Sequence, residues 1–467
     1  MVSTSVIKNF RFFKKIFDFR YNYMKQVVLL VCFLVPGVEF YAQKIAKNSA
    51  YEDLVFLNHA VTFGHPVNYN PEKKKVTLDQ VIAKLQNIES DSLDFAEFRL
   101  LLNEAIFNVG CVHTRISKGI ERATALETLY FPSRIILQSG KLFDTLNVEI
   151  TSINGISSEQ IVRDVEHFYA SDGITNALSA EVFNKNSYSL ISGYFNFPRE
   201  YIVKTGNQTS VIQATQTFTE TRESRPKENP IFQNKNNLFY FKEGIPVLKV
   251  SSFDKTDGSF FRKSFKYIQE NNLQTIIIDL RGNLGGNRKS AVSLTKHLVS
   301  NPFTYSILQP GLYTKKYLNG KGKFYLLLSK LKYNVGNIFK GKRTRLGKEF
   351  VYRFKPNQEG YKGKLYILTD GYTASAATMV TSWLKQHTKA TFIGQQSAGG
   401  YNGNNGGSFP TITLPNSKYE ITFPVYRIVL DKNSDHNAGI IPDIITESTN
   451  HPDNVLTTAL HVIKSKK

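Results

Sequence analysis

Two segments that each combine an apolar strand, a turn of small residues and a helix constrain the fold more than any other feature. The first runs from the apolar strand 275–280 into a turn that contains Gly285 and Gly286. The second runs from strand 365–368 through small residues to Ser375 and a helix with apolar residues at helical spacing. Continuous apolar strands that alternate with helices are typical of buried, mostly parallel sheets. We therefore predict an α/β fold for residues 238–467.

Ser375 lies at the predicted N-terminus of the second helix. Backbone amides and the helix dipole there favour negative charge that develops close to the hydroxyl. Small neighbours leave room for a substrate carbonyl, so the pattern fits a nucleophile. It also fits a serine that only caps the helix.

The glycine-rich turn after strand 275–280 has two interpretations as well. Glycines at a strand end allow backbone amides to point at an oxyanion without obstruction by side chains. A tight structural turn is the alternative. The phosphate-binding patterns GxxxxGK[ST] and GxGxxG are both missing, so nucleotide binding is not indicated.

The first 43 residues read as a signal region. Lys25 precedes an apolar run over 27–38, which is too short for the roughly 20 residues of a membrane span. An uncleaved signal anchor is the alternative. Of the two cysteines, Cys32 lies in this region, which leaves Cys111 without an intrachain partner once the signal is removed. We expect an exported protein, periplasmic or at the cell surface.

Three further segments precede the α/β domain. Residues 46–118 have helical periodicity and are predicted to form a helical N-terminal domain, in which Gly110 ends the last helix and leaves His113 in a loop. Residues 119–205 are predicted to hold short strands and one helix. Residues 206–237 are polar and are predicted to be a linker or an exposed hairpin.

The formal net charge of +21 is concentrated in residues 315–348, which contain eleven Lys and Arg and no Asp or Glu. Aromatic and leucine side chains interleave with these charges. Nucleic-acid binding fits the charge but not an exported protein. A solvated insertion, contact with an anionic membrane surface, and contact with acidic substrate segments stay open.

The ordered motifs resemble those of the C-terminal processing (tail-specific) serine peptidases. They are Asp279-Leu280-Arg281-Gly282-Asn283-Leu284-Gly285-Gly286, Thr373-Ala374-Ser375-Ala376, Gly399-Gly400 and Gly439-Ile440-Ile441-Pro442-Asp443. The resemblance implies a crotonase-like core of ββα units. It also implies that residues 119–205 hold a degenerate PDZ-like module, which binds substrate in relatives.

The resemblance also implies the roles of the site residues. Many members pair the serine with a lysine, but Gly400 stands at that position here. The tricorn-core-like branch uses a histidine from the N-terminal domain, and His113 matches it. A histidine can take the Ser375 proton and return it to the leaving amine. Asp435, with His436 beside it, is the nearest candidate for the orienting acidic residue.

The sequence therefore predicts an exported serine peptidase that acts on polypeptides. The amides of Gly285, Gly286 and Ala376 are predicted to form the oxyanion hole, and Gly399 and Gly400 to border the substrate groove. The histidines show no metal-ligand spacing, and no cofactor is expected. A non-catalytic binding protein of the same fold, and an esterase or amidase, are the alternatives.

Overall fold

The structure, a computed structural model, describes residues 44–70, 73–118, 129–195, 197–216, 228–310, 314–335, 341–357, 360–434, 436–446 and 453–466. The expected signal region, 1–43, lies outside these ranges. None of the described helices combines the length and apolar character that crossing a bilayer requires.

The segment before residue 118 contains three helices, in agreement with its periodicity. Leu54 of the first and Phe98 of the third are fully buried in the main core. Gly110 follows the third helix with φ 61°, a conformation that favours glycine. The elements are β1 Lys44–Ala46, α1 Lys47–Gly64, α2 Asp79–Gln86, β2 Ser92–Asp94, α3 Phe95–Asn108 and β3 Arg115–Lys118.

Residues 129–216 form two small sheets and two helices around a separate hydrophobic cluster that includes Phe131, Ile153 and Phe183. The Ser157 side chain accepts a hydrogen bond from the Gln160 amide at 3.3 Å and so caps the first helix. The elements are β4 Ile136–Gln138, β5 Lys141–Phe143, β6 Glu149–Ile150, β7 Ser152–Ile153, β8 Ile156–Ser157, α4 Ser158–Glu166, α5 Ala177–Tyr194, β9 Glu200–Thr205 and β10 Gln208–Gln213.

Two features of this segment differ from the sequence-based expectation. Helix α5 is a second helix where one was expected. Strands β9 and β10 form a hairpin that turns at Gly206, with φ 57°. The boundary expected between residues 205 and 206 therefore falls inside a hairpin, because the paired strands continue through the polar sequence.

The remainder of the chain alternates strands and helices, which confirms the mixed α/β class. Its first part contains β11 Pro230–Gln233, β12 Asn237–Lys242, β13 Ile245–Val250, α6 Asp257–Glu270, β14 Thr275–Asp279, α7 Arg288–Leu298 and β15 Phe303–Gln309. The basic segment follows as α8 Gly320–Val335, β16 Gly341–Thr344 and β17 Gly347–Phe354. The last part contains β18 Lys364–Thr369, α9 Ala376–His387, β19 Thr391–Gly394, β20 Gly403–Gly406, β21 Thr411–Thr413, β22 Glu420–Thr422, β23 Tyr426–Val429, β24 Ile444–Ile445 and α10 Asn454–Ser465.

The central sheet has the strand order β11-β12-β13-β14-β18-β19-β24 and is parallel from β13 to β24. Alternate residues of β14 enter different clusters: Ile276 and Ile278 pack with Trp383 of α9, whereas Ile277 packs with Leu460 of α10. The sheet is therefore covered by helices on both faces. Because β14 and β18 are parallel neighbours, the turns at their carboxyl ends meet.

Two other sheets complete the framework of the site. An antiparallel sheet has the order β16-β17-β15-β23-β20, with β20 at its edge. A small sheet joins β3 to β22 and β21. This last pairing brings the residues that follow His113 to a part of the chain about 300 positions further on, as in the pair Ile116 and Ile421.

Candidate active site

Ser375 occupies the turn between β18 and α9 in a conformation that is rare for a residue with a side chain. Its φ of 54° and ψ of −119° place it at the N-cap of α9, yet its hydroxyl makes no capping hydrogen bond. The turn around it is held by Thr373, whose hydroxyl donates to the Leu280 carbonyl at 3.1 Å, and by the Ala374 amide, which donates to the Asn283 carbonyl at 3.1 Å. Ser375 is half-buried. The structure thus positions a hydroxyl that the helix does not use.

The glycine-rich turn after β14 packs directly against Ser375. A Cβ atom added to Gly285 would lie 2.6 Å from the Ser375 Cβ atom and 2.8 Å from the Ala376 nitrogen. A Cβ atom on Gly286 would lie 2.3 Å from the Phe253 carbonyl oxygen. Both glycines have positive φ, 105° and 129°. Only glycine allows this approach.

The amides of this turn are not equivalent. The Gly285 amide donates to the Asn283 side-chain oxygen at 2.8 Å, so it is engaged and not available to an oxyanion in this structure. Within the described ranges, the amides of Gly286 and Ala376 make no hydrogen bond. Of the three amides that the sequence indicated, two are therefore free to donate.

His113 lies in the loop between α3 and β3. Its ring stacks on Phe409 with 5.1 Å between ring centroids and 21° between planes. Its Nδ1 atom is buried without a hydrogen-bond partner among the described residues, and no hydrogen bond there joins the ring to Ser375. Burial, with a smaller contribution from Arg115, lowers the pKa of His113 to about 4. The imidazole is therefore neutral at pH 7.

A carboxylate that sequence reasoning missed connects the His113 loop to the turn behind Ser375. Asp172 accepts from the Val112 amide and from the Gly400 amide, each at 3.0 Å. Val112 also packs in one apolar cluster with Ala374 and Ala398. The residues next to His113 and next to Ser375 therefore share a cluster. No pattern around Asp172 in the sequence indicated this role.

Gly399 and Gly400 are buried and close-packed. A Cβ atom on Gly399 would lie 2.1 Å from the Thr378 hydroxyl and 3.2 Å from the Ser375 nitrogen. A Cβ atom on Gly400 would lie 2.2 Å from the Asn437 carbonyl oxygen. Their own amides donate to Thr373 and Asp172. The backbone here has no space for the lysine of the Ser/Lys relatives.

The position of the predicted orienting residue, Asp435, lies outside the described residues. Its neighbour His436 is exposed, and its Nε2 atom lies 3.4 Å from the Gly439 carbonyl of the same turn. No described carboxylate is hydrogen-bonded to the His113 ring. Burial and nearby Asp172 raise the pKa of the Cys111 thiol to about 11, so this neighbour of His113 is not a thiolate nucleophile at pH 7.

Several buried polar groups near this loop cluster have no partner within the described ranges. They are both amide atoms of Asn404, the Oδ1 atom of Asn405 and the Nε atom of Arg427. Arg427 lines a cavity of about 390 Å³ together with Asp172 and Asn405. Unpaired buried polar groups are costly and concentrate at functional sites. No group of three or more His, Cys, Asp or Glu side chains among the described residues is placed to hold a metal ion.

Comparisons with known proteins agree with this arrangement. Residues 244–446 match the model of peptidase family S41. The structure of mature CPAF complexed with lactacystin is similar to this chain, with 14% identity and a TM-score of 0.57. The alignment covers 90% of this chain and 98% of the CPAF chain. A CPAF point mutant is also similar, with 13% identity and a TM-score of 0.58. That alignment covers 90% of this chain and 97% of the mutant chain. Comparison with curated proteins gave no match.

The family match supports a serine-type peptidase. Residues 244–446 are the part of the chain that matches peptidase family S41. At 13–14% identity, the likeness to CPAF shows a shared fold. The resemblance that the sequence motifs carried is thereby confirmed at the level of the family.

Proposed function

We propose that the chain hydrolyses peptide bonds through an acyl-enzyme on Ser375. The observation that carries this proposal is the Ser375 conformation: a strained N-cap whose hydroxyl makes no capping hydrogen bond, beside two backbone amides that have no partner among the described residues. Strained backbone at a loop between a strand and a helix is typical of activated nucleophiles.

His113 serves as the base in this proposal. Its imidazole takes the proton as the Ser375 oxygen attacks the substrate carbonyl carbon, and returns it to the amine when the C–N bond breaks. Water then hydrolyses the ester by the same proton transfers. The ring and the hydroxyl are not hydrogen-bonded in the described structure, so they come together when substrate binds.

The amides of Gly286 and Ala376 hold the oxyanion of the tetrahedral intermediate. Both amides lack partners among the described residues, and the helix dipole of α9 adds to the stabilisation. Gly285 serves a different purpose: its missing side chain lets the turn lie against Ser375. Asp435 stays the candidate that orients the His113 ring.

The substrate is a polypeptide, as the family implies. We propose that it lies along the edge strand β20, where the side-chain amide of Asn404 and the Oδ1 atom of Asn405 have no hydrogen-bond partner among the described residues. Gly399 and Gly400 support this groove from behind, since both are buried.

The architecture belongs to the same proposal. Residues 238–467 form a crotonase-like core, 46–118 a helical domain, and the separate cluster around Phe131 a PDZ-like module. The enzyme is exported to the periplasm or the cell surface. Contact of residues 315–348 with an anionic membrane surface is a separate proposal that this chemistry does not require.

The test is hydrolysis of a quenched-fluorescence peptide library by the wild type and by Ser375→Ala and His113→Ala. Both variants should lose at least about a thousandfold in kcat/KM, because serine is a poor nucleophile without its base. His59→Ala changes an exposed histidine on α1 and should leave the rate unchanged.

The pH profile separates a base from a packing residue. Because a protonated imidazole cannot accept a proton, kcat/KM should fall as the pH drops through about 4, the His113 pKa. Full activity of His113→Ala, or a serine-directed probe that labels Ser375→Ala as well as the wild type, contradicts the mechanism. A wild type that binds peptides without cleaving them favours the non-catalytic alternative.

A further inference from the structure

Helix α8 (Gly320–Val335) packs against the protein along one narrow face. Leu326 on this face is buried, and the Ser329 hydroxyl donates to the Tyr426 hydroxyl at 3.1 Å. A Cβ atom on Gly322 would lie 2.9 Å from the Thr411 carbonyl oxygen. These residues recur at i, i+4 and i+7, so one helix face makes the contact.

The opposite face of α8 carries a second apolar stripe, which no described part of the chain covers. Phe324, Leu327, Leu328 and Leu331 also recur at i, i+3, i+4 and i+7, and their exposed fractions are 63%, 54%, 48% and 50%. Single exposed apolar residues are common on soluble proteins, but four large ones on one face mark a contact surface.

Lysines flank this outer stripe. With residues at roughly 100° intervals, Lys321 falls on one side of the stripe and Lys323 and Lys330 on the other. None of the three forms an ion pair within the described part of the chain. Residues 315–348 contain eleven basic residues and no acidic ones, so no charge within this segment offsets them.

We propose that the outer face of α8 docks on an anionic lipid membrane, with the helix axis in the plane of the interface. The four apolar side chains enter the boundary between headgroups and acyl chains, and the lysines extend to anionic headgroups. A membrane surface offers both requirements, negative charge and an apolar phase, across the whole face. This inference does not depend on the peptidase chemistry.

A second copy of the chain fits this face less well. A symmetric contact would bring the face onto itself and place lysines against lysines. An acidic polypeptide would satisfy the lysines but would have to supply its own apolar stripe to cover the leucines. Charge complementarity therefore favours the membrane.

The test uses a local reporter in the full chain, so that the apolar run at 27–38 cannot give a false result. The chain has one tryptophan, Trp383, which is fully buried. Phe324→Trp therefore adds the single exposed tryptophan of the described surface. Its emission should shift to shorter wavelengths with vesicles of equal parts phosphatidylcholine and phosphatidylglycerol, and brominated lipid should quench it.

The matched control is Leu146→Trp, which places the reporter at another exposed apolar position, 82% exposed in the wild type. It should not respond. Adding Lys321→Glu and Lys323→Glu to Phe324→Trp should weaken vesicle binding about tenfold or more, because each lysine near an anionic surface adds on the order of fivefold. Peptide cleavage in solution should be unchanged in all three variants.

Three results would overturn the proposal. The first is no response of Phe324→Trp to these vesicles. The second is a response of Phe324→Trp to vesicles of phosphatidylcholine alone that equals its response to the mixed vesicles, or a response of Leu146→Trp that equals that of Phe324→Trp. The third is a concentration-dependent emission shift without vesicles, which would assign the face to a second copy.

Discussion

The strained backbone of Ser375 and the missing side chain of Gly285 belong to one packing arrangement. A non-glycine residue in the conformation of Ser375 costs about 1–3 kcal/mol, so the surrounding contacts must impose it. Those contacts include the Gly285 backbone, which approaches the Ser375 Cβ atom to the limit that glycine permits. At the scale of single residues, a missing side chain is therefore as important as the nucleophile.

Gly285→Ala should abolish activity while Gly282→Ala should not. Both glycines have positive φ, 105° and 75°, so both substitutions cost about 1 kcal/mol from the backbone alone. Only at Gly285 would the added methyl collide with Ser375 and Ala376, whereas no atom lies within 4 Å of a Cβ on Gly282. We expect at least a hundredfold loss of kcat/KM for Gly285→Ala and less than a threefold loss for Gly282→Ala, at matched melting temperatures. Similar activities of the two variants would contradict this packing argument.

Between elements, Asp172 is the link that the secondary structure alone does not supply. It lies between α4 and α5, and its two oxygens hold the loop after α3 and the loop after β19. Burial raises its pKa to about 6, whereas the two amide donors oppose that rise.

Helix α5, which follows Asp172, shows why sequence periodicity missed a helix. Its buried face mixes apolar residues with Asn184 and Ser187, which hydrogen-bond to the backbone of Leu137 and Ile135 respectively, so polar residues interrupt the apolar repeat.

Asp172→Asn should lower both activity and stability. The asparagine side chain keeps one oxygen acceptor but places its NH2 group against the second backbone N–H donor. That backbone N–H is then buried without a partner, at a cost of about 1–3 kcal/mol. We expect a loss of roughly tenfold in kcat with a smaller change in KM, because the loops of His113 and Ser375 lose their alignment. The measurements are steady-state kinetics and urea unfolding.

Asp144→Asn is the matched control for this substitution. The Asp144 carboxylate also accepts from two backbone amides, those of Leu146 and Val148, but both donate to its Oδ1 atom and the turn is exposed. It should leave kcat unchanged. Equal effects of the two substitutions would remove the special role of Asp172.

Across the whole molecule, the N-terminal helices and the core share one hydrophobic cluster, and a buried histidine lies where they join. His65 follows α1; its Nδ1 atom accepts from the Val67 amide at 3.0 Å, so its Nε2 atom carries the proton and donates to Thr114 at 2.8 Å. The ring also packs edge-on against Phe423, with 4.9 Å between centroids. Burial, with His113 nearby, lowers the pKa of His65 to about 3.

The protein should therefore lose stability in mild acid. The folded pKa of His65 is lower than the unfolded value near 6.5, so its contribution is complete above pH 6.5 and is lost as the pH falls toward 3. His65→Gln has no side chain that titrates at this position. Between pH 6.5 and 4 its unfolding free energy should therefore fall by about 2–3 kcal/mol less than that of the wild type. Urea unfolding at these pH values measures the difference, with His59→Gln as the exposed control. Parallel pH profiles for wild type and His65→Gln would refute this assignment.

The sequence by itself determined the local features: the apolar strands, the small-residue turns, the position of Ser375 at a helix start, and the helix that ends before His113. These depend on spacing over a few residues, and spacing is visible in a sequence. The family motifs extended this to the reaction class, because their order along the chain is also a property of the sequence.

Only the tertiary structure decided which groups meet. The pairing of β3 with β22, the contact of Asp172 with Gly400 and the engagement of the Gly285 amide by Asn283 join backbone and side-chain atoms through space. Hydrogen bonds of this kind depend on distance and angle, and residues hundreds of positions apart carry no local pattern that encodes them. The same reason explains the outer stripe of α8: its residues were visible, but which face the protein covers was decided by packing.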